Sequence, residues 1–283
     1  MTPLLVPPVT VIWEEADLKL PLFVFSSFFI FILGLSIGSF LNVCIYRLPR
    51  RQSLIHPPSH CPQCGNLIKW YDNIPLLSYL LLKGRCRHCP SPISFRYPLV
   101  EALTGIFFLF SFFRHSPASF TFPLFLSFLK DLVFISFLIP IFFIDLQHRI
   151  VPNPLSYGIL ISGLVLSFLT GSFFSGLVGL AIGGGIFLII RFLGTFLLKV
   201  ESMGMGDVKL AAGIGAFLGW RLALVCFFLS FLLGAIVAIF LLLTHLKRRK
   251  DRIAFAPFLV AAALISLFWG SKLLSLYLTF LYY

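Results

Sequence analysis

The sequence predicts an all-α polytopic membrane protein with about eight transmembrane helices. Hydrophobic residues make up 59% of the 283 residues and charged residues only 11%, whereas a soluble domain carries about 25% charged residues. The apolar residues also run in long blocks and do not mark one face of a helix, which is typical of helices surrounded by lipid. A water-soluble fold is therefore excluded.

Eight apolar blocks are separated by charged residues, glycine or proline, and a helix needs roughly 20 apolar residues to cross a bilayer. The sixth block is short. The first twenty residues lack the basic start of a secretory signal peptide, so we expect the first helix to be retained. The blocks lie near residues 21–46, 98–113, 122–145, 154–170, 174–198, 208–220, 222–245 and 254–280.

The basic residues predict how the chain is oriented. If the N-terminus lies outside, residues 47–97, 146–153, 199–207 and 246–253 lie inside, and with Lys209 they hold 16 of the 22 basic residues. Lysine and arginine concentrate in cytoplasmic loops of membrane proteins, so we expect these loops in the cytoplasm. The net charge of +12 is explained by orientation and by contact with anionic headgroups of the lipid bilayer. We expect no nucleic acid partner.

The predicted organisation has three parts. Residues 1–46 form an outer segment and the first transmembrane helix, residues 47–97 a polar cytoplasmic module, and residues 98–283 a core of seven membrane helices. Small-residue pairs such as Gly34 with Gly38, Gly179 with Gly183, and Gly215 with Gly219 predict close helix packing in the membrane.

Four of the six cysteines lie in the polar module. Cys61 and Cys64 form one CxxC pair, Cys86 and Cys89 another, and 21 residues separate the pairs. This spacing is close to that of a four-thiolate zinc ribbon, a closed structural site. A reducing cytoplasm disfavours disulfides, so we predict that these cysteines bind structural zinc. His56, His60 and His88 could substitute as ligands, but we expect them to be exposed loop residues. Cys44 and Cys226 lie in apolar blocks and are expected to serve packing.

Only ten acidic residues occur, and a carboxylate within or beside a membrane span is costly unless it has a partner or a function. Asp131 follows Lys130, and we expect local pairing to explain it. Glu101 opens the second span and fits a structural role at a helix start, with catalysis as the alternative.

Asp145 and Asp207 are the candidate catalytic residues. Asp145 ends the third span and Asp207 begins the sixth, so both are predicted at the same cytoplasmic depth. Two nearby carboxylates share a proton, so one can activate water while the other protonates an amide that is being cleaved. Spacing alone fits equally well an interpretation in which Asp207 caps a helix and Asp145 marks the end of a span.

The motifs together resemble those of the type IV prepilin peptidases, bacterial membrane aspartyl proteases of the Gly-x-Gly-Asp kind. The matching stretches follow one another over most of the chain. They are GSFLNVCIYRLP at 38–49, the paired cysteines, WYDNIPLLSYL at 70–80, ISFRYPLVEALTG at 93–105, IDLQHRIVPN at 144–153 and GMGDVKLAAGIGAFLGW at 204–220. The resemblance implies eight spans and assigns catalysis to Asp145 and Asp207.

The resemblance also implies a substrate, a second activity and a location. Members cleave the basic leader of type IV prepilins or pseudopilins, for type IV pili or type II secretion, at the cytoplasmic face of the bacterial inner membrane. Bifunctional members then methylate the new N-terminus with S-adenosylmethionine. The residues themselves indicate no methyl-donor site, because no glycine-rich strand-to-helix turn is evident.

Two other functions are compatible with the sequence. A presenilin-like protease would cleave other membrane substrates with the same aspartates. A non-catalytic assembly or transport protein would use the acids for ions and the cysteines for a scaffold, but transporters place such groups near the bilayer midplane.

Overall fold

The computed structural model describes residues 9–115, 121–199, 203–244 and 254–282, and over these residues the chain is helical without a β-strand. The basic cluster of residues 247–252 and Glu201 lie outside the described residues. The helices are α1 (Val9–Arg47), α2 (Leu77–Leu81), α3 (Arg96–His115), α4 (Phe122–His148), α5 (Asn153–Leu169), α6 (Phe173–Leu198), α7 (Met205–Leu243) and α8 (Ala256–Tyr282).

The predicted all-α membrane architecture is confirmed. Six described helices are long and apolar enough to cross a membrane, and α5 is a shorter apolar helix of the same kind. Each of the eight predicted apolar blocks is helical, although α1 begins at Val9 and continues through Pro21. The sixth and seventh blocks are joined within α7, whose backbone leaves the helical conformation at Gly219.

The break at Gly219 makes α7 a hairpin of two membrane helices. A straight helix of its 39 residues would be about 58 Å long, far more than the roughly 30 Å of a bilayer core. Gly183 on α6 packs against Ala211, before the break, and against Phe227, after it. Because one residue touches both halves at the same level, the second half runs back alongside the first.

Glycines allow the helices to approach closely, as their spacing predicts. A β-carbon on Gly34 would lie 2.7 Å from the Cα of Gly105, so α1 and α3 pack backbone to backbone. Gly179 meets Gly215 in the same way, which fixes α6 on the first half of α7. Without hydrophobic driving force between helices in lipid, such contacts supply much of the packing energy.

Several helix termini that make polar contacts lie together at one end of the bundle, which we call the polar end. Here α1, α4 and α6 finish, and α3, α5, α7 and α8 begin. Hydrogen bonds across this end join Asn42 to the Tyr97 carbonyl, Arg96 to Gln147, and Lys209 to Asn153. Residues 48–95, the part of the polar module that lies between α1 and α3, leave the bundle here.

Asp131 lies nearer the opposite end and has the expected structural role, although its hydrogen-bond partners are on α3 and do not include the neighbouring Lys130. Its carboxylate accepts hydrogen bonds from Arg114 at 3.1 Å, from Ser111 at 3.3 Å and from His115 Nε2 at 2.8 Å. Lys130 pairs elsewhere, because its ammonium donates to the hydroxyls of Ser167 and Ser172. These contacts tie α4 to α3 and to the α5–α6 turn.

The hairpin predicts that Gly219→Ala is destabilising. Gly219 has φ +75° and ψ 165°, a conformation open essentially only to glycine, and strain there costs on the order of 1–3 kcal/mol. A β-carbon would also collide with the Ser175 hydroxyl. We expect a lower melting temperature in detergent, measured by intrinsic fluorescence.

Gly185→Ala is the matched control, since Gly185 is helical and has open space around its β-carbon position. We expect this variant to melt at or slightly above the temperature of the parent protein. Equal shifts for the two substitutions would contradict the tight turn.

Candidate active site and metal centre

Asp145 lies in the last turn of α4, near the point where the helix stops. The helix ends because Arg149 adopts the left-handed conformation and returns its N–H to the Asp145 carbonyl at 2.8 Å. The Asp145 side chain is only 4% exposed. Its Oδ2 accepts a hydrogen bond from the Ala256 N–H at 3.2 Å. A nearly buried carboxylate is thus held by the first residue of α8.

Asp207 lies in the first turn of α7. Gly204 precedes the helix in extended conformation, and its carbonyl accepts the N–H of Asp207 at 3.2 Å. Gly206 lies directly on the segment that follows α4, since a β-carbon there would be 2.9 Å from Val151 Cβ. The glycine therefore allows the start of α7 to pack against the chain just beyond Asp145.

The two aspartates lie on adjoining segments at the polar end. They are 62 residues apart in sequence, but Gly206, next to Asp207, packs on Val151, six residues after Asp145, and the two carboxylates are close enough for their charges to interact. Asp145 is buried, and Asp207 is only partly exposed. Both lie at helix ends, not midway along the spans. This arrangement suits general acid–base chemistry, in which one carboxylate takes a proton from water and the other gives one to a leaving group.

Glu101 does not join this pair. It lies in the second turn of α3, is 8% exposed, and accepts the Leu76 N–H at 2.9 Å. Leu76 has φ +58°, so the glutamate fixes an unusual turn of the polar module onto α3. Its contacts therefore point to a structural role.

Sequence reasoning overlooked the N–H of Ala256 as a functional group. Ala256-Pro257 does carry a usable signal, because proline is favoured in the first turn of a helix. The pattern therefore predicts that α8 starts here and that its first N–H groups are free. It does not predict which acceptor they bond to, because that depends on how α4 and α8 pack.

The polar module contains two equivalent turns, 25 residues apart. In the first, Cys61 N–H donates to the Asn66 carbonyl, and in the second Cys86 N–H donates to the Ser91 carbonyl, both at 2.9 Å. Isolated β-bridges flank the turns, His60 with Leu67 and Arg85 with Pro92. Each CxxC pair therefore sits on the same kind of loop, and the two loops face each other.

The four thiols form one cluster. The Sγ atoms of Cys61, Cys64, Cys86 and Cys89 all lie within 4.8 Å of one another, and those of Cys61 and Cys89 are 3.7 Å apart. Tetrahedral zinc with bonds of about 2.3 Å places sulfurs about 3.8 Å apart, so the cluster fits such an ion. A hydrogen bond from the Cys64 backbone N–H to the Cys61 sulfur lowers the pKa of Cys61.

An ion pair between Asp72 and Arg87 stabilises the polar module. Arg87 Nε and Nη2 donate to the Asp72 carboxylate at 2.6–3.1 Å, and this bond lowers the pKa of Asp72. Because Arg87 lies between the cysteines of the second loop, the pair ties that loop to the segment before α2.

The other candidate ligands do not enter the cluster. Among the described residues, the group that can hold a metal ion consists of the four cysteines, and His60 instead contacts the Pro58 carbonyl. Cys44 and Cys226 are buried in the bundle, as the packing interpretation requires.

Two family profiles match the chain in succession. Residues 32–115 match the bacterial peptidase A24 N-terminal domain. Residues 132–239 match the type IV leader peptidase family. The first match contains the polar module, and the second contains Asp145 and Asp207.

Relatives extend the similarity over nearly the whole chain. Proteins named prepilin leader peptidase/N-methyltransferase from Legionella pneumophila and Aeromonas hydrophila are each 36% identical to it, over 87% and 92% of this chain and 92% and 96% of their own. A protein of the same name from Myxococcus xanthus is 43% identical over 76% of this chain, which spans 63% of that relative. No solved structure gives a significant match. The chain thus belongs to the type IV leader peptidase family.

Proposed function

We propose that this protein cleaves the leader peptide of type IV prepilins or pseudopilins and N-methylates the new N-terminus. The observation that supports the proposal is that Asp145 and Asp207 lie on adjoining segments at the polar end, where Gly206 packs on Val151. The relatives whose names state both activities align with nearly the full chain, which supports the same pair of activities here. The corresponding location is the cytoplasmic face of the bacterial inner membrane, with the polar module in the cytoplasm.

Peptide hydrolysis would use both aspartates. One carboxylate accepts a proton from a water molecule while the water oxygen bonds to the carbonyl carbon of the scissile peptide. The other carboxyl group donates its proton to the amide nitrogen, and the C–N bond then breaks. The Ala256 N–H holds Asp145 in place during this exchange.

The position of Asp145 and Asp207 also suits a prepilin substrate. A prepilin carries a polar, basic leader ahead of a hydrophobic helix, so its cleavage site lies where the membrane ends. Asp145 and Asp207 lie at that level of the bundle, at the end of α4 and the start of α7. A transporter would place such groups near the midplane, which makes ion transport the weaker hypothesis.

Cys61, Cys64, Cys86 and Cys89 would hold zinc in the polar module. Four thiolates leave no open coordination position, so the ion would stabilise the fold of a segment too small to form a core of its own. Zinc then keeps the two cysteine loops together at the polar end of the bundle.

Methyl transfer requires a donor, and S-adenosylmethionine would supply an electrophilic methyl group to the amine that hydrolysis releases. The described residues contain no strand and hence no nucleotide-binding turn of the glycine-rich strand-to-helix type. We therefore assign no residue to this ligand.

The catalytic proposal predicts that Asp145→Asn and Asp207→Asn each abolish cleavage. Acid–base catalysis contributes on the order of 10²–10⁴ in rate, so each variant should lose at least about 100-fold. The assay incubates purified protein in detergent with a synthetic prepilin peptide and S-adenosylmethionine. Mass spectrometry then measures leader loss and the added methyl group.

Asp131→Asn is the control for loss of a membrane carboxylate. It should lower the melting temperature, because Arg114 loses its ion pair, while the folded protein still cleaves. Leader loss that persists in either Asp145→Asn or Asp207→Asn would overturn the proposed mechanism.

The hydrogen bond to Asp145 predicts a difference between Ala256→Pro and Ala256→Gly. Proline suits the first position of α8 but removes the N–H, whereas glycine keeps it. A hydrogen bond to a charged group contributes about 1.5–3 kcal/mol, so cleavage by the proline variant should be at least about tenfold slower than by the glycine variant. Equal rates in the two variants would exclude a positioning role for this N–H.

The metal proposal predicts about one zinc ion per chain, measured by elemental mass spectrometry of the purified protein. The double variant Cys61→Ser/Cys86→Ser should lose the zinc, and its polar module should become sensitive to limited proteolysis. Cys44→Ser, which changes a buried cysteine of α1, is the control and should keep the metal. Zinc retained by the double variant would rule out the four-cysteine site.

A further inference from the structure

The polar module carries an apolar surface that nothing else in the described chain covers. Leu77, Leu80 and Leu81 of α2 are 48%, 70% and 71% exposed, and Trp70 is 81% exposed. Their spacing puts the three leucines on one side of α2. The Ser78 hydroxyl donates to the Tyr71 carbonyl at 2.9 Å, which holds the Trp70 segment beside that helix. We call these four side chains the α2 surface.

Exposed cations accompany the α2 surface. Lys69 precedes Trp70, Lys83 and Arg85 follow α2, and all three are exposed. The only acidic residue among residues 48–95 is Asp72, and Arg87 already neutralises it. The surface is therefore both apolar and strongly positive.

This combination determines what could cover the α2 surface. A second copy of the same module would bring positive charge against positive charge, and so would a basic leader peptide. A membrane surface with anionic headgroups offers the complementary charge, and its acyl region accepts leucine and tryptophan side chains. Clusters of apolar and basic residues of this kind bind bilayers in the interfacial plane.

The way the polar module is connected to the bundle also favours a bilayer surface as the partner of the α2 surface. The module is joined at both ends to helices of the bundle, at Arg47 of α1 and at Arg96 of α3. Glu101 of α3 also holds Leu76, the residue just before α2, through its N–H. Because Glu101 lies within two turns of the start of α3, this bond holds the start of α2 close to the end of a membrane helix.

We propose that the α2 surface of Trp70, Leu77, Leu80 and Leu81 rests in the headgroup region of the surrounding bilayer and that anionic phospholipids hold it there. The cysteine loops are then fixed by the bilayer on one side and by Glu101 on the other. This inference is independent of the cleavage and methylation chemistry.

The test uses the full chain in lipid nanodiscs with Trp70 as the single tryptophan, in the variant Trp13→Phe/Trp220→Phe/Trp269→Phe. Phosphatidylcholine mixed with phosphatidylglycerol, each brominated on its acyl chains, should quench Trp70 emission at least about twofold. The reference for quenching by lipid is a variant that keeps Trp269 alone, because this side chain is 49% exposed on the membrane helix α8.

Two comparisons make the result specific. Leu80→Glu/Leu81→Glu in the Trp70 background should reduce the quenching by brominated lipid, and so should discs of phosphatidylcholine alone.

Emission that acrylamide quenches and brominated lipid does not would show the surface in water and overturn the proposal. Protection from both quenchers would show a protein cover and overturn it as well. Equal lipid quenching with and without phosphatidylglycerol would refute the role of anionic headgroups.

Discussion

A buried carboxylate in a helical membrane bundle needs hydrogen-bond donors, and the helices themselves offer few. Within a helix each backbone N–H is already bonded to a carbonyl, and only the first turn has free N–H groups. Asp145 is nearly buried, and its backbone donor is the first N–H of α8. This backbone donor is therefore available to Asp145 only because α4 ends beside the start of α8. That arrangement places the candidate site at the polar end of the bundle.

The position of Asp207 depends on glycine contacts much deeper in the bundle. Gly179 and Gly183 let α6 lie directly against the backbone of α7 at Gly215 and Ala211. Gly219 then turns the chain, so the second half of α7 returns beside α6 and α8. The first half of α7 is thus held along its whole length, and its first turn, with Asp207, is kept in register with the end of α4.

The polar module is built on a different principle. It has too few buried apolar residues to fold as a core, and its organisation comes from the two cysteine loops, the Asp72–Arg87 pair and the hydrogen bond between Glu101 and Leu76. Its exposed leucines and tryptophan would be unfavourable in water. Both features fit a segment whose surroundings are a metal ion and a bilayer surface.

The sequence by itself determined the class of fold, the eight apolar helical segments and the thiol cluster. These follow from properties that act locally: a long apolar block must be helical in lipid, and paired CxxC motifs bring thiolates within reach of one ion. The sequence also marked Asp145 and Asp207 as candidates, but only through the resemblance of their motifs, since spacing alone left their roles open. Tertiary structure decided the rest. The break at Gly219, the role of Glu101 as an anchor of the module and the donor to Asp145 all depend on contacts between residues far apart in sequence. No local pattern encodes which helix end meets which carboxylate, because that depends on how the whole bundle packs.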